Sequence, residues 1–153
     1  MKESIIISKH LLNTVKEDYK KASFEKAILC FKKGIKIKEN LKNKILVSFD
    51  YVNFGNLYNS KGKSKEAIEC FEKGIKLNPD IAEAYNNRGS AYAYKGEFTK
   101  AIEDYTKAIE LNPDLAGAWY NKGEILFLQN HIDNAMDAFK KAYHLRTKTN
   151  NPI

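Results

Sequence analysis

Apolar and polar positions recur along this chain with a period of 34 residues. Tyr51, Tyr85 and Trp119 stand 34 apart, and so do Gly55, Gly89 and Gly123, then Ala67, Ala101 and Ala135, then Phe71, Tyr105 and Phe139. Each period holds two helical patterns. Tyr85, Arg88, Gly89 and Tyr92 fall at i, i+3, i+4 and i+7 on one helical face, and Ala101, Tyr105 and Ala108 at i, i+4 and i+7 on a second. Gly62, Gly96 and Asn130 separate the two, which predicts a tight turn with positive φ. Asn78-Pro79-Asp80 and Asn112-Pro113-Asp114 then stop the second helix, because the residue before proline is pushed out of the α region, while Pro and Asp suit the first turn of the next helix. Glycine in a helix interior costs about 1 kcal/mol relative to alanine. The glycine column therefore predicts close backbone contact with the paired helix, the small residues Ala101 and Ala108 meeting the glycines.

An aromatic, then x-x-L-G-x-x-Y, then A-x-x-x-F, then P is the signature of the tetratricopeptide repeat, and the pattern here resembles it. Residues 48–81, 82–115 and 116–149 match in turn. Arg88 and Lys122 replace the Leu, Leu126 the second Tyr, and Thr147 stands where the last Pro would be. Residues 1–47 read as a degenerate first copy: Phe24, Ala27, Phe31 and Gly34 align with the second helix, and Leu12, Val15 and Tyr19 with the buried face of the first. Spare residues between Ile37 and Phe49 start the next helix about one and a half turns early, which predicts Ile6 against Ile45 and Ile7 against Leu46. The expected fold is all-α: a single domain over residues 1–153, eight helices in four hairpins, with a tail at 150–153. The resemblance implies a stack wound as a right-handed superhelix, an α-solenoid, whose concave wall is made by the first helices.

If Tyr85, Arg88, Gly89 and Tyr92 face the core, about 100° per residue puts Glu83, Asn87, Ser90 and Tyr94 on the far side of that helix. Phe49, Asn53, Asn56 and Ser60 are their counterparts in the preceding repeat; Gly117, Asn121, Glu124 and Leu128 are those in the following one. Asn53, Asn87 and Asn121 thus form a column facing away from the core. An amide has donors and an acceptor and can pair with both sides of an extended peptide backbone, the use some long tetratricopeptide superhelices make of this position. Consensus drift, or bonds to a neighbouring helix, are the other readings. The resemblance also raises the two-carboxylate clamp for acidic chaperone tails. Asn56 and Asn87 match it, but Val52, Gly117 and Asn121 occupy the places of its two Lys and its Arg, so a terminal carboxylate would lack its cations. Tyr94, Tyr120, Phe127 and Leu128 either floor the end of the groove or, for Tyr120 and Phe127, lean into the inter-repeat core.

Composition adds limits. A net charge of +7 is concentrated in residues 1–76, with 17 Lys against 9 acids, and Lys outnumbers Arg 24 to 2. Base reading and phosphate clamping favour Arg, so a solvated basic face is the expectation and nucleic acid is not the expected partner. No signal-peptide core and no membrane span is present, and the chain reads as cytoplasmic. Cys30 and Cys70 lack a CxxC partner and read as buried or half-buried thiols. His10, His131 and His144 are scattered, without HExxH, P-loop or GxSxG motifs, so neither metal, cofactor nor enzyme is expected, and Glu103 and Asp104 read as polar-face acids. The predicted function is a non-catalytic scaffold holding an extended peptide of a protein partner against Asn53, Asn56, Asn87, Ser90, Tyr94, Asn121, Glu124 and Leu128. Self-association through stack ends, near Ile5 to Ile7 or Leu145, is the alternative.

Overall fold

The computed structural model describes residues 20–37, 39 and 44–150, with side chains through residue 148. All regular structure among them is helical: α1 over residues 20–37, α2 Lys44–Asn59, α3 Ser64–Leu77, α4 Ala82–Tyr94, α5 Phe98–Leu111, α6 Ala116–Leu128 and α7 Ile132–Asn150. Seven helices are therefore described where the sequence predicts eight. The expected first helix, with Leu12, Val15 and Tyr19, lies outside the described residues, as do Ile6, Ile7 and residues 151–153. Helices α4 and α6 have 13 residues each and α3 and α5 have 14, so the sequence period is also a structural one. Helix α2 is described from Lys44, already about one turn ahead of residue 48, its 34-residue equivalent; the rest of the expected early start falls on residues 40–43, outside the described residues. Ile45, expected to be covered, is 60% exposed.

The turns follow from their residues. Gly62, Gly96 and Asn130 have φ of 69°, 76° and 62°. Each donates to the carbonyl three residues back, and the next residue reaches one further: Lys63 N–H to Tyr58 O at 3.0 Å, Glu97 to Tyr92 at 3.0 Å and His131 to Leu126 at 2.9 Å. This is the Schellman closure, which satisfies carbonyls the helix end would leave orphaned. At the other joint, Asn78 is extended (φ −144°) and its Oδ1 accepts from Asp80 N at 3.2 Å; Asn112 (φ −140°) does the same with Asp114 at 3.1 Å. Pro79 and Asp80 form a turn ahead of Ala82, not the first turn of α4 as the sequence predicts, because the asparagine side chain closes its own turn first.

Three cores are strung along the chain rather than one. Ile35, Val47, Phe54 and Cys70 join α1, α2 and α3; Val52, Ile68, Phe71 and Ile81 lead into α4; Ala101, Tyr105 and Ile125 join α5 to α6. Each first helix packs on its own second helix and that second helix on the next first one. First helices α2, α4 and α6 also touch in succession, whereas α3, α5 and α7 do not touch one another. The glycine column is a close-contact column with a different partner from the one expected. A Cβ on Gly55, Gly89 or Gly123 would meet the ring of Phe71, Tyr105 or Phe139 at 2.6 to 2.8 Å, so the aromatic of the second helix fills the space left by the missing side chain. Ala101 and Ala108 are buried, and of the two it is the Ala101 carbonyl, at 3.2 Å, that stands among the three atoms nearest a Cβ on Gly89.

Asp104 is not a polar-face acid. Arg88 donates to it in a fork, Nε to Oδ2 at 2.8 Å and Nη2 to Oδ1 at 2.7 Å, with side-chain exposures of 18% and 8%. The rings of Tyr85 and Tyr92 flank the guanidinium at 5.5 and 5.9 Å. One repeat earlier the same two positions hold Phe54 and Cys70, an apolar pair in the core. Burial pushes the Cys70 thiol up to about 11, while Cys30, expected to be at least half-buried, is exposed. At pH 8 only about one Cys70 in a thousand is thiolate. One thiol equivalent should therefore react rapidly with a disulfide reagent and the second only on denaturation; two fast equivalents would contradict the packing around Cys70.

Candidate functional site

Helices α2, α4 and α6 present the positions the sequence sets opposite the core, but the asparagines there are not equivalent. Asn53 is exposed, with no hydrogen-bond partner among the described residues. Asn87 Nδ2 donates to Asn56 Oδ1 at 2.8 Å, across from α4 to α2. Asn121 Nδ2 donates to Asn86 Oδ1 at 3.1 Å and to Ser90 Oγ at 3.4 Å, from α6 to α4. Asn86 Nδ2 reaches Asn87 Oδ1 at 3.1 Å, which makes one chain of amides across three helices. Bonds to the neighbouring helix, one of the readings of the column, are thus what Asn87 and Asn121 make. Sequence reasoning missed Asn86, because Val52 and Tyr120 hold its equivalent positions and no period marks it.

Ser90 ties this chain to the second layer. Its Oγ donates to Asn86 O at 3.1 Å and accepts from Tyr105 OH at 3.3 Å. Burial raises the Tyr105 phenol above its usual range, the bond to Ser90 works against this, and the nearby Glu124 charge adds to the rise. The phenol therefore stays protonated and a donor. Asn121 directs its NH₂ at Asn86 and Ser90, so its Oδ1 is the group without a partner among the described residues; Asn56, whose oxygen accepts, keeps its NH₂.

Beside this network the surface opens into a cleft of about 730 Å³ between α4, α5 and α6. Ser90, Tyr94, Asn121, Glu124 and Leu128 of the expected groove line it together, with Tyr120 and Phe127. Asn53, Asn56 and Asn87 do not reach it and extend the face toward α2. Tyr94 is 81% exposed and Leu128 68%, an unusual amount of open apolar surface for two neighbouring side chains. Tyr120 and Phe127 both line the cleft while remaining partly exposed, and Tyr120 leans on Phe139 at 5.5 Å. Of the positions that would carry clamp cations, Val52 is buried in the core, Gly117 has no side chain and Asn121 is engaged. Among the described residues no group of three or more His, Cys, Asp or Glu is gathered, and no helix is long and apolar enough to cross a membrane.

This geometry matches known proteins at the level of fold and repeat. Three family profiles align with the chain: tetratricopeptide repeat profiles at residues 82–115 and 104–139, and a TPR repeat profile at residues 55–96. No curated protein shows a significant match. Among solved structures, the first TPR of Spaghetti (RPAP3) bound to the HSP90 peptide SRMEEVD is 28% identical, covering 64% of this chain and 78% of that one, with a TM-score of 0.63. The yeast Sti1 TPR2B domain in a pHsp70 complex is 27% identical over 68% of this chain and 83% of its own, at 0.65. MamA, at 24% identity, covers 87% of this chain and 94% of its own with a TM-score of 0.64, a likeness of fold alone. With its 34-residue period, its Schellman-closed hairpins and its aromatic-filled glycine column, the chain belongs to the tetratricopeptide repeat family.

Proposed function

We propose that the wall of α2, α4 and α6 is a groove that holds an extended segment of a protein partner, and that the chain is a non-catalytic adaptor acting in the cytoplasm. The cleft carries this reading: open apolar side chains, Tyr94 and Leu128, beside a row of amides with unused hydrogen-bonding capacity. Contact among first helices without contact among second helices supports a right-handed superhelix with the first helices on its inside. Residues 1–47 then form a degenerate first repeat of one domain spanning residues 1–153, completing four hairpins and eight helices. The complexes of similar TPR domains, one of them with an HSP90 peptide, support a partner-binding role. No metal, cofactor or nucleic acid enters the proposal.

The test uses a peptide selected on the wild-type chain from a random display library. Replacing Asn53, Asn87 and Asn121 together by Ala should weaken that peptide at least about tenfold, since each amide-to-backbone bond contributes a net 0.5 to 1.5 kcal/mol or so. Helical content should be unchanged. The groups stranded by the substitutions are exposed or half-buried and can hydrate, and Ala favours the helices, so the midpoint of unfolding should move little. Unchanged affinity with a normal fold would move the site off this wall.

A second reading, association through a stack end, has its own observation. Tyr120, Phe139, Tyr143 and Arg146 line a cavity of about 630 Å³ against α7, and Tyr143 is 71% exposed. Of the two ends the sequence offers for this, Leu145 is buried and Ile5 to Ile7 lie outside the described residues. A concentration-dependent mass by light scattering that is lost in Tyr143→Ser would support it.

A further inference from the structure

We infer that the groove selects an internal peptide segment carrying an apolar anchor next to a Lys or Arg, and disfavours acidic tails. This rests on the groove reading above and adds the chemistry of the occupant. Among the described residues Glu124 is the sole charged side chain lining the cleft, and no Lys or Arg lines it. Glu83 stands one turn ahead of Asn87 on the same face of α4 and is exposed. Neither glutamate has a hydrogen bond or an ion pair among the described residues.

The cations of the surrounding elements are engaged or elsewhere. Arg88 is held by Asp104 on the core side of α4; Lys95 and Lys100 both pair with Glu97, the latter at 2.7 Å. Lys122 takes the Arg88 position of α6, is half-buried and does not line the cleft. Most remaining lysines of the repeats, such as Lys73, Lys107 and Lys140, lie on second helices. A chain of net charge +7 thus presents a locally anionic inner wall. Asn121 adds to the preference: its NH₂ is directed at Asn86 and Ser90, which leaves its Oδ1 to receive N–H donors. A Leu or aromatic side chain in the cleft against Tyr94, Phe127 and Leu128 would set a following Lys or Arg beside Glu124, in a setting where charge complementarity determines partner choice.

Two amidated dodecapeptide pools separate the outcomes, each with a central Leu or Trp in a Ser/Gly/Asn background, one with two Lys flanking the anchor and the other with two Glu. Binding is located by amide chemical-shift changes on the labelled full chain. The Lys pool should perturb residues around Asn121, Glu124 and Leu128 and bind about tenfold more tightly than the Glu pool at about 0.01 M salt, the gap narrowing at about 0.5 M. Glu124→Gln should weaken the Lys pool about threefold, and Glu124→Lys should reverse the ranking. Equal binding of both pools at these residues, or tighter binding of the Glu pool, would overturn the charge selection and leave the groove standing. Perturbations that fall elsewhere for every peptide would overturn the groove itself. Shifts of the same residues on raising protein concentration without peptide would assign the cleft to a second copy and overturn the proposal.

Discussion

Asp104→Ala should cost about 3 to 5 kcal/mol of unfolding free energy, because it leaves the Arg88 guanidinium largely buried with no partner for its fork. Arg88→Leu restores the residue most tetratricopeptide repeats use there, yet it should destabilise by a similar amount, since the lost cation leaves the Asp104 carboxylate in a poorly hydrated place. The double replacement should behave differently. Arg88→Phe with Asp104→Cys transplants the pair that the preceding repeat carries at the same two positions, Phe54 and Cys70, which pack together in its core. A buried ion pair exchanged for well-packed apolar groups is commonly neutral or stabilising by about 1 to 4 kcal/mol. The double variant should therefore be at least as stable as wild type while both single variants are weak. Denaturant unfolding of all four proteins gives the coupling directly. Additive single effects would mean that the two side chains do not act as a pair, and the fork would have to be a surface contact of little weight.

Gly89→Leu should destabilise by about 1 to 3 kcal/mol even though it raises helix propensity by about 1 kcal/mol. The Cβ alone would lie 2.8 Å from Tyr105 Cε1 and 3.2 Å from the Ala101 carbonyl, so a side chain there must displace a buried ring or separate the two helices of the hairpin. Gly34 provides the contrast within the same chain. Among the described residues nothing lies within 4 Å of a Cβ built there, and it sits inside helical residues 20–37, so Gly34→Ala should keep the propensity gain and raise stability by about 0.5 to 1 kcal/mol. A wild-type midpoint for Gly89→Leu would refute the close-contact column; a fall for Gly34→Ala would refute the open space around α1.

Helices, turns and the register of the repeats were legible in the sequence because each depends on residues close together in the chain. Positive φ at Gly62, Gly96 and Asn130 and the extended Asn78 and Asn112 follow from local sterics, and the same sterics recur every 34 residues. The exposed face of the first helices was legible too, since 100° per residue is a property of a single helix and Glu83, Tyr94, Glu124 and Leu128 are exposed where that spacing sets them. Contacts between helices were not. That aromatic rings rather than alanines fill the glycine column depends on how the two helices of a hairpin cross, and the Arg88 fork to Asp104 spans 16 residues that no periodicity links. Asn86 breaks the period, so its bond to Asn121, which draws the Asn121 NH₂ to α4 and leaves its Oδ1 for a partner, exists only once α4 and α6 are brought side by side. The sequence by itself thus determined the elements, their order and the faces they bury. Tertiary packing decided which polar groups on those faces are spent on one another and which remain for a partner, because a hydrogen bond or an ion pair depends on distances of about 3 Å that local geometry does not transmit between helices.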